Sequence, residues 1–319
     1  MVKPDRTPQV IWVAGLLVLI VLPAVLPNDY VVTVLILCML HAVLASSWNL
    51  LMGFAGIFSF GHQAFYGLGA YVSALLAMRA GLDPWLGLVA GGLAAAALGA
   101  FIAVPTLRLR AAPYIAIATL GFAEIARITA SNLVGLTRGE LGLAGIPPLT
   151  DLGPLRFGAG GSRIGSYYAM LGILALTIVT LRALVRSRVG LALLAIRESQ
   201  DAADSLGVAV TRYKVLAFAV SSFFAGAAGA FYAHTFLVLT PSTVLSVAIM
   251  VELIAMTLVG GAGTLLGPVV GAFALTLSLE QLRVLGDWRL LIYGAALVAL
   301  ILFMPEGVMR RLLPGRRHL

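Results

Sequence analysis

The sequence predicts an all-α fold, a polytopic transmembrane helix bundle of about ten spans with possible broken helices. Three observations predict it. Hydrophobic residues make up 61% of the 319-residue chain and charged residues only 11%, where a soluble domain carries about a quarter. Apolar runs recur between short polar breaks, and each is near the roughly twenty helical residues that cross a hydrocarbon core of about 30 Å. Glycine is abundant at 35 residues, and pairs such as Gly87 with Gly91 or Gly226 with Ala230 have the spacing that lets helix backbones approach inside lipid.

The runs fall near residues 10–27, 31–51, 62–79, 85–107, 112–135, 166–185, 214–239, 243–259, 266–284 and 289–305. The first follows Lys3 and Arg6 and has the look of a signal peptide over Val10–Leu22. No small-residue cleavage site follows, so it reads as a retained span. Cys38, the only cysteine, lies inside the second run; it excludes an intrachain disulfide and reads as packing. The breaks at Gly53–Gly61 and Gly260–Gly267 read as tight turns or as re-entrant pieces of broken helices, with half-helix N-termini near Gly61 and Gly267. The whole of 1–319 reads as one transmembrane domain with two long connections. The outer one, 137–165, is rich in Gly and Pro and suited to an external partner. In the inner one, 186–213, Leu191, Leu194, Ala195, Ala202 and Leu206 recur at roughly helical spacing among Arg197, Glu198, Asp201 and Asp204, which predicts a short amphipathic helix.

Basic residues set the orientation. Lys3, Arg6, Arg108, Arg110, Arg182, Arg186, Arg188, Arg197, Arg212, Lys214, Arg310 and Arg311 fall on one side if both termini are cytoplasmic. The opposite loops carry fewer. Trp85, Tyr167, Tyr168 and Trp288 then fall at outer span ends, where amphipathic rings sit at the headgroup boundary. The same distribution explains the net charge of +8 without nucleic acid, whose binders gather their basic residues on one polar face.

Catalytic patterns are missing. His41, His62, His234 and His318 have no partners at metal-ligand spacing. Gly56–Gly61 lacks the spacing of a serine nucleophile turn. A phosphate-binding loop needs Gly-Lys, yet Lys3 follows Val2 and Lys214 follows Tyr213. The remaining chemistry is intramembrane charge. Glu124 and Arg127 share a helical face at i, i+3 and can neutralise each other as a structural pair or meet a solute. Glu252 has no opposite charge near it in sequence. A proton-coupled secondary carrier would use Glu252 or Glu124 as its relay, and that is the alternative to an ATP-driven importer.

In the inner loop, Asp201-Ala202-Ala203 followed by Gly207 resembles the E-A-A-x-x-x-G loop of ATP-binding-cassette (ABC) importer permeases, with Asp for Glu. The segment Gly53-Phe54-Ala55-Gly56-Ile57-Phe58-Ser59-Phe60-Gly61-His62 is similar to one in branched-chain amino-acid permeases of the Liv type. So are Ala195-Ile196-Arg197-Glu198 and Gly260-Gly261-Ala262-Gly263-Thr264-Leu265-Leu266-Gly267-Pro268. The pattern runs from about Trp48 to Pro305 and is nearest to the M-type subunit. The resemblance implies a transport subunit without its own ATPase, working with a homologous permease, two cytoplasmic ATPase subunits that hold ATP and magnesium, and an extracytoplasmic solute-binding protein. It also implies that Arg197, Glu198, Asp201, Ala202, Ala203 and Gly207 couple to the ATPase. Gly53, Gly56, Ser59, Gly61, His62, Glu124, Arg127, Glu252, Gly260, Gly261, Gly263 and Thr264 become candidates for the pathway or its hinges. One departure stands out: Thr137-Arg138-Gly139-Glu140 replaces the family's usual T-G-G before its G-L-x-G-I-P sequence, at Gly142–Pro147.

Overall fold

The computed structural model describes residues 15, 18–23, 28–106, 112–151, 157, 163–286, 288, 292, 294–295 and 298. The expected first and last spans, and Arg108, Arg110, Arg310 and Arg311, lie mostly or wholly outside them. The long helices are α1 (Asp29–Asn49), α2 (His62–Ala80), α3 (Pro84–Thr106), α4 (Ala112–Asn132), α6 (Ile164–Arg186), α9 (Val210–Phe236), α11 (Val247–Gly260) and α12 (Gly267–Gln281). Short helices α5 (Val134–Thr137), α7 (Arg188–Glu198), α8 (Gln200–Ser205) and α10 (Pro241–Val244) lie between them.

Helix ends follow local chemistry. The Asn28 side chain accepts from the Tyr30 N–H and caps α1, as an N-cap amide should. A π-helical turn at Leu50–Phe54 extends α1, and α3 opens on Pro84, whose missing N–H costs nothing there. Helix α9 packs along α3 and α2, while α12 packs on α1 and α11, and α6 on α1. The α2–α3–α9 seam works because its contact points lack side chains. A Cβ at Gly69 would overlap the Gly226 backbone, one at Gly226 would overlap the Ala95 side chain, and one at Gly229 would overlap the Tyr66 carbonyl. The spaced glycines read from the sequence thus serve packing.

Six helical segments are long and apolar enough to cross a membrane, among the described residues: Asp29–Phe54, Pro84–Thr106, Pro113–Asn132, Ile164–Arg186, Val210–Phe236 and Pro241–Gly260. Two expected spans fall outside that set for different reasons. Helix α2 is 19 residues long but carries His62, Gln63, Ser73 and Arg79; it is covered mainly by protein, so polar side chains are tolerated. Helix α12 has only 15 residues.

The expected eighth span is divided. Helix α10 stops at Val244, and Ser246 caps a new start, its hydroxyl accepting from the Ala248 N–H at 3.1 Å. Just before it, strand β2 (Val238–Leu239) pairs antiparallel with β1 (Leu143–Ala144) from the 137–165 connection. That connection is pinned at the same end of the bundle by Trp85 Nε1, which donates to the Thr150 carbonyl at 3.0 Å, and by the Thr150 hydroxyl, which donates to Asp83 at 2.9 Å.

The 186–213 connection also differs from expectation. It holds two helices, broken at Ser199, whose backbone is extended and whose hydroxyl caps α8 by accepting from the Ala202 N–H. Leu193, Ile196 and Ala203 form the buried side, whereas Leu191 and Leu206 are exposed. The sequence pattern predicts a short amphipathic helix, and the structure divides it in two at Ser199.

A junction of loops at one end of the bundle

The two glycine-rich breaks meet at a single place. Asn49, in the last turn of α1 before the π-turn, donates from Nδ2 to the Thr264 carbonyl and accepts at Oδ1 from the Gly263 N–H, both at 2.8 Å. This one amide straddles the turn between α11 and α12, and it is 2% exposed. A Cβ at Gly53 would collide with the Asn49 amide and with the Gly263 backbone. Gly261 and Gly263 both have positive φ, and Thr264 closes the turn: its hydroxyl donates to the Gly261 carbonyl at 2.8 Å and accepts from the Gly267 N–H at 3.0 Å. Gly260 lies so close to Gly267 that no side chain fits between them.

The α7–α8 arm enters the same junction. Arg197 donates from Nη1 to the Gly53 carbonyl at 2.6 Å and from Nη2 to Glu198 at 2.8 Å. Gly56, at φ +69°, packs under the arginine; a Cβ there would stand 2.8 Å from Arg197 Cγ. Glycine meets both demands, the left-handed backbone and the lack of volume. The end of α1, the α11–α12 turn and the arm therefore share one hydrogen-bonded contact built from Asn49, Gly53, Gly263, Thr264 and Arg197.

Further along the arm, Asp201 and Ala202 are exposed, Ala203 is buried, and Gly207 is exposed at φ +81°. A groove of about 340 Å³ lies between α8 and the start of α9, lined by Gln200, Asp204, Ala209, Thr211, Arg212 and Lys214. Lys214 donates to the Gln200 side chain at 2.6 Å across it.

The break after α1 also has its own supports. Trp48 Nε1 donates to the Ser59 carbonyl at 2.8 Å, the Phe60 N–H donates to Thr119 Oγ1 at 2.9 Å, and the Gly61 N–H donates to Ser59 Oγ at 3.3 Å. The N–H groups of Gly61 and Gly267 are thus already taken. His62 is fully buried, with Nε2 3.0 Å from Ser47 Oγ and 3.3 Å from Ser221 Oγ. Both hydroxyls donate elsewhere, to the carbonyls of Leu44 and Ser47. Nε2 therefore carries the proton, and among the described residues Nδ1 is left as a buried acceptor without a partner.

The charged candidates lie apart from this junction. Arg127 and Glu124 form the expected i, i+3 pair on α4, but among the described residues neither hydrogen-bonds to another helix, so the pair ties α4 to nothing. Glu252 is half-buried on α11. His234 sits at the opposite end of the bundle, with Nδ1 2.7 Å from the Pro147 carbonyl and Nε2 2.8 Å from the Ser73 hydroxyl. His41 Nδ1 lies 3.0 Å from Thr276 Oγ1. No group of three or more His, Cys, Asp or Glu could hold a metal ion among the described residues.

Sequence reasoning missed Asn49, Thr119, Ser47, Ser221 and the His234–Pro147 contact. Asn49 left one signal: an amide between apolar neighbours, four residues before Gly53, must find hydrogen-bond partners inside the fold. The others left none, since their partners are distant in sequence.

Comparison with known proteins agrees with this picture. Residues 30–303 match the family described as "Branched-chain amino acid transport system / permease component". The chain is 31% identical to the "High-affinity branched-chain amino acid transport system permease protein LivM" of Escherichia coli (strain K12), over 94% of this chain and 75% of that one. The LivM protein of Salmonella typhimurium (strain LT2) is 30% identical over the same shares. The LivH protein of that organism is 25% identical, over 85% of this chain and 91% of its own. No solved structure matches the chain.

Proposed function

The chain belongs to the permease family of branched-chain amino acid transport systems, and from that premise we propose that it carries branched-chain amino acids or similar small solutes into the cytoplasm as one half of an ABC importer. Both termini are cytoplasmic in this reading, ten helices span the inner membrane, and the α7–α8 arm faces the cytoplasm. A homologous permease completes the pathway. Two ATPase subunits, which bind the ATP and magnesium, dock on the arm, and an external binding protein delivers the solute to the 137–165 connection.

The observation that carries the reading is the Arg197–Gly53 hydrogen bond. A push on the arm reaches the end of α1 through Arg197, and reaches α11 and α12 through Asn49. Asp201, Ala202 and Gly207 are exposed on the same arm, where an ATPase can engage them, while Ala203 anchors the arm to its own helix pair. Glycines 53, 56, 261 and 263 let these segments touch closely enough to move as one block. Family membership favours this subunit role over a proton-coupled carrier.

The test is uptake by vesicles that hold the chain with its second permease, both ATPases and the binding protein. Leucine should accumulate only with internal or external ATP, whichever reaches the ATPases. Replacing Asp201 and Gly207 together should abolish uptake while the complex still purifies intact. ATP-independent accumulation would refute the reading.

A further inference from the structure

Helix α4 is the least covered of the six long apolar segments, 28% buried where the others range from 33% to 78%. Tyr114, Ile117, Ile125 and Ile128 are exposed along it, and a Cβ at Gly121 would meet nothing. An uncovered apolar face could simply meet lipid. The ion pair on this helix argues for a polar neighbour instead: Arg127 and Glu124 are 36% and 37% exposed. Charged side chains at membrane depth are placed toward water-filled cavities or protein, because hydrocarbon offers them no solvation.

The pair has the form of a site for a zwitterion. Arg127 directs Nε and Nη2 at Glu124, and among the described residues its Nη1 has no hydrogen-bond partner. Among the described residues two more polar groups are buried and unpartnered, the hydroxyls of Ser131, one turn further along α4, and of Tyr71 on α2. The packing brings them into one neighbourhood: Gly139 packs against the Ser131 carbonyl, and α2, which carries Tyr71, lies along α4, tied beside its Thr119 by the Phe60 N–H and beyond its far end by Arg79, which donates to the Gly135 carbonyl at 2.8 Å. In the empty state the two ions neutralise each other, so no charge is left exposed to a low-dielectric path. A solute bearing one positive and one negative group can replace each partner without stranding either ion.

We infer that Glu124, Arg127, Tyr71 and Ser131 form a transit site for the zwitterionic head of an α-amino acid on the pathway side of α4. Arg127 takes the carboxylate with its free donor, Glu124 takes the ammonium, and the two hydroxyls complete the shell. The inference rests on the importer reading above and names the face of the chain along which the solute passes.

The decisive variant is the double exchange Glu124→Arg with Arg127→Glu, which keeps an i, i+3 ion pair but reverses its direction. It is compared with the wild type in vesicles containing the complete importer, with leucine as the probe and co-purification of the partner subunits as the check on assembly. A structural role predicts that the reversed pair rescues uptake. Recognition of the zwitterion predicts uptake reduced about tenfold or more, the loss expected when charged hydrogen bonds are misplaced. Uptake by the exchanged variant within twofold of the wild type overturns the inference. If the exchanged variant does not assemble, Tyr71→Phe decides: it removes a single oxygen, and a severalfold slower uptake supports the site while unchanged uptake overturns it. A wild-type importer that takes up no leucine sinks the importer reading instead, and the two failures are thereby distinguished.

Discussion

Asn49→Ala removes the side chain that hydrogen-bonds α1 to the α11–α12 turn. Its amide makes two hydrogen bonds of 2.8 Å, to the Thr264 carbonyl and from the Gly263 N–H, in a place that is 2% exposed. Water cannot replace either bond without entering the junction. Leaving a buried donor and a buried acceptor unpaired costs about 1–3 kcal/mol for each. Partial relaxation of the turn recovers some of that, so a net cost of about 3 kcal/mol is expected. The cost falls on local opening of the turn, because the flanking helices keep their own packing. At about 1.4 kcal/mol per factor of ten, 3 kcal/mol raises the open population about 150-fold. Hydrogen exchange on the detergent-solubilised chain reads this directly: amides of Gly261–Gly267 should exchange about two orders of magnitude faster in Asn49→Ala, and those in α3 and α9 should be unaffected. Exchange in the turn within threefold of the wild type would refute the claim that Asn49 holds it.

Other expectations concern distinct parts of the molecule. Arg197→Ala deletes the bond to the Gly53 carbonyl; ATP hydrolysis by the assembled importer should persist while leucine uptake falls about tenfold, and Arg197→Lys should lie between. Gly56→Ala forces a side chain into a left-handed backbone at φ +69° against Arg197, costing about 1–2 kcal/mol before any displacement of the arginine, and should show the same loss of coupling. Gly229→Ala places a methyl group on the Tyr66 carbonyl; overpacking of this kind costs about 1–3 kcal/mol, and should lower the thermal midpoint of the purified chain. His234→Ala frees the Pro147 carbonyl, so limited proteolysis should cut the Gly142–Thr150 segment faster than in the wild type.

The class of the protein was legible in one dimension because the bilayer imposes a one-dimensional rule. A helix that crosses hydrocarbon satisfies its own backbone, so a run of apolar residues declares itself without reference to anything distant. The same holds for the glycine spacing of the α2–α3–α9 seam. Motif order carried the family, since three glycine-rich and charged segments in sequence are rarely met by chance. Composition alone did not show that α2, with its His62, Gln63 and Ser73 buried, is a helix sheathed in protein. Periodicity also misjudged the α7–α8 arm, because a single extended residue at Ser199 resets the helical phase.

What only the tertiary structure decided is which distant segments touch. Asn49, Gly53, Arg197 and Gly263 are separated by up to 214 positions, and no local rule relates an amide in one helix to a turn between two others. The sequence likewise offered half-helix N-termini near Gly61 and Gly267, and only the packed chain shows their N–H groups satisfied by Ser59 and Thr264. Local hydrogen bonding and burial preference are properties of a short stretch of chain, and they fixed the helices. The junction depends on the mutual placement of helices, set by close contact between backbones hundreds of residues apart, and that information exists only once the chain has packed.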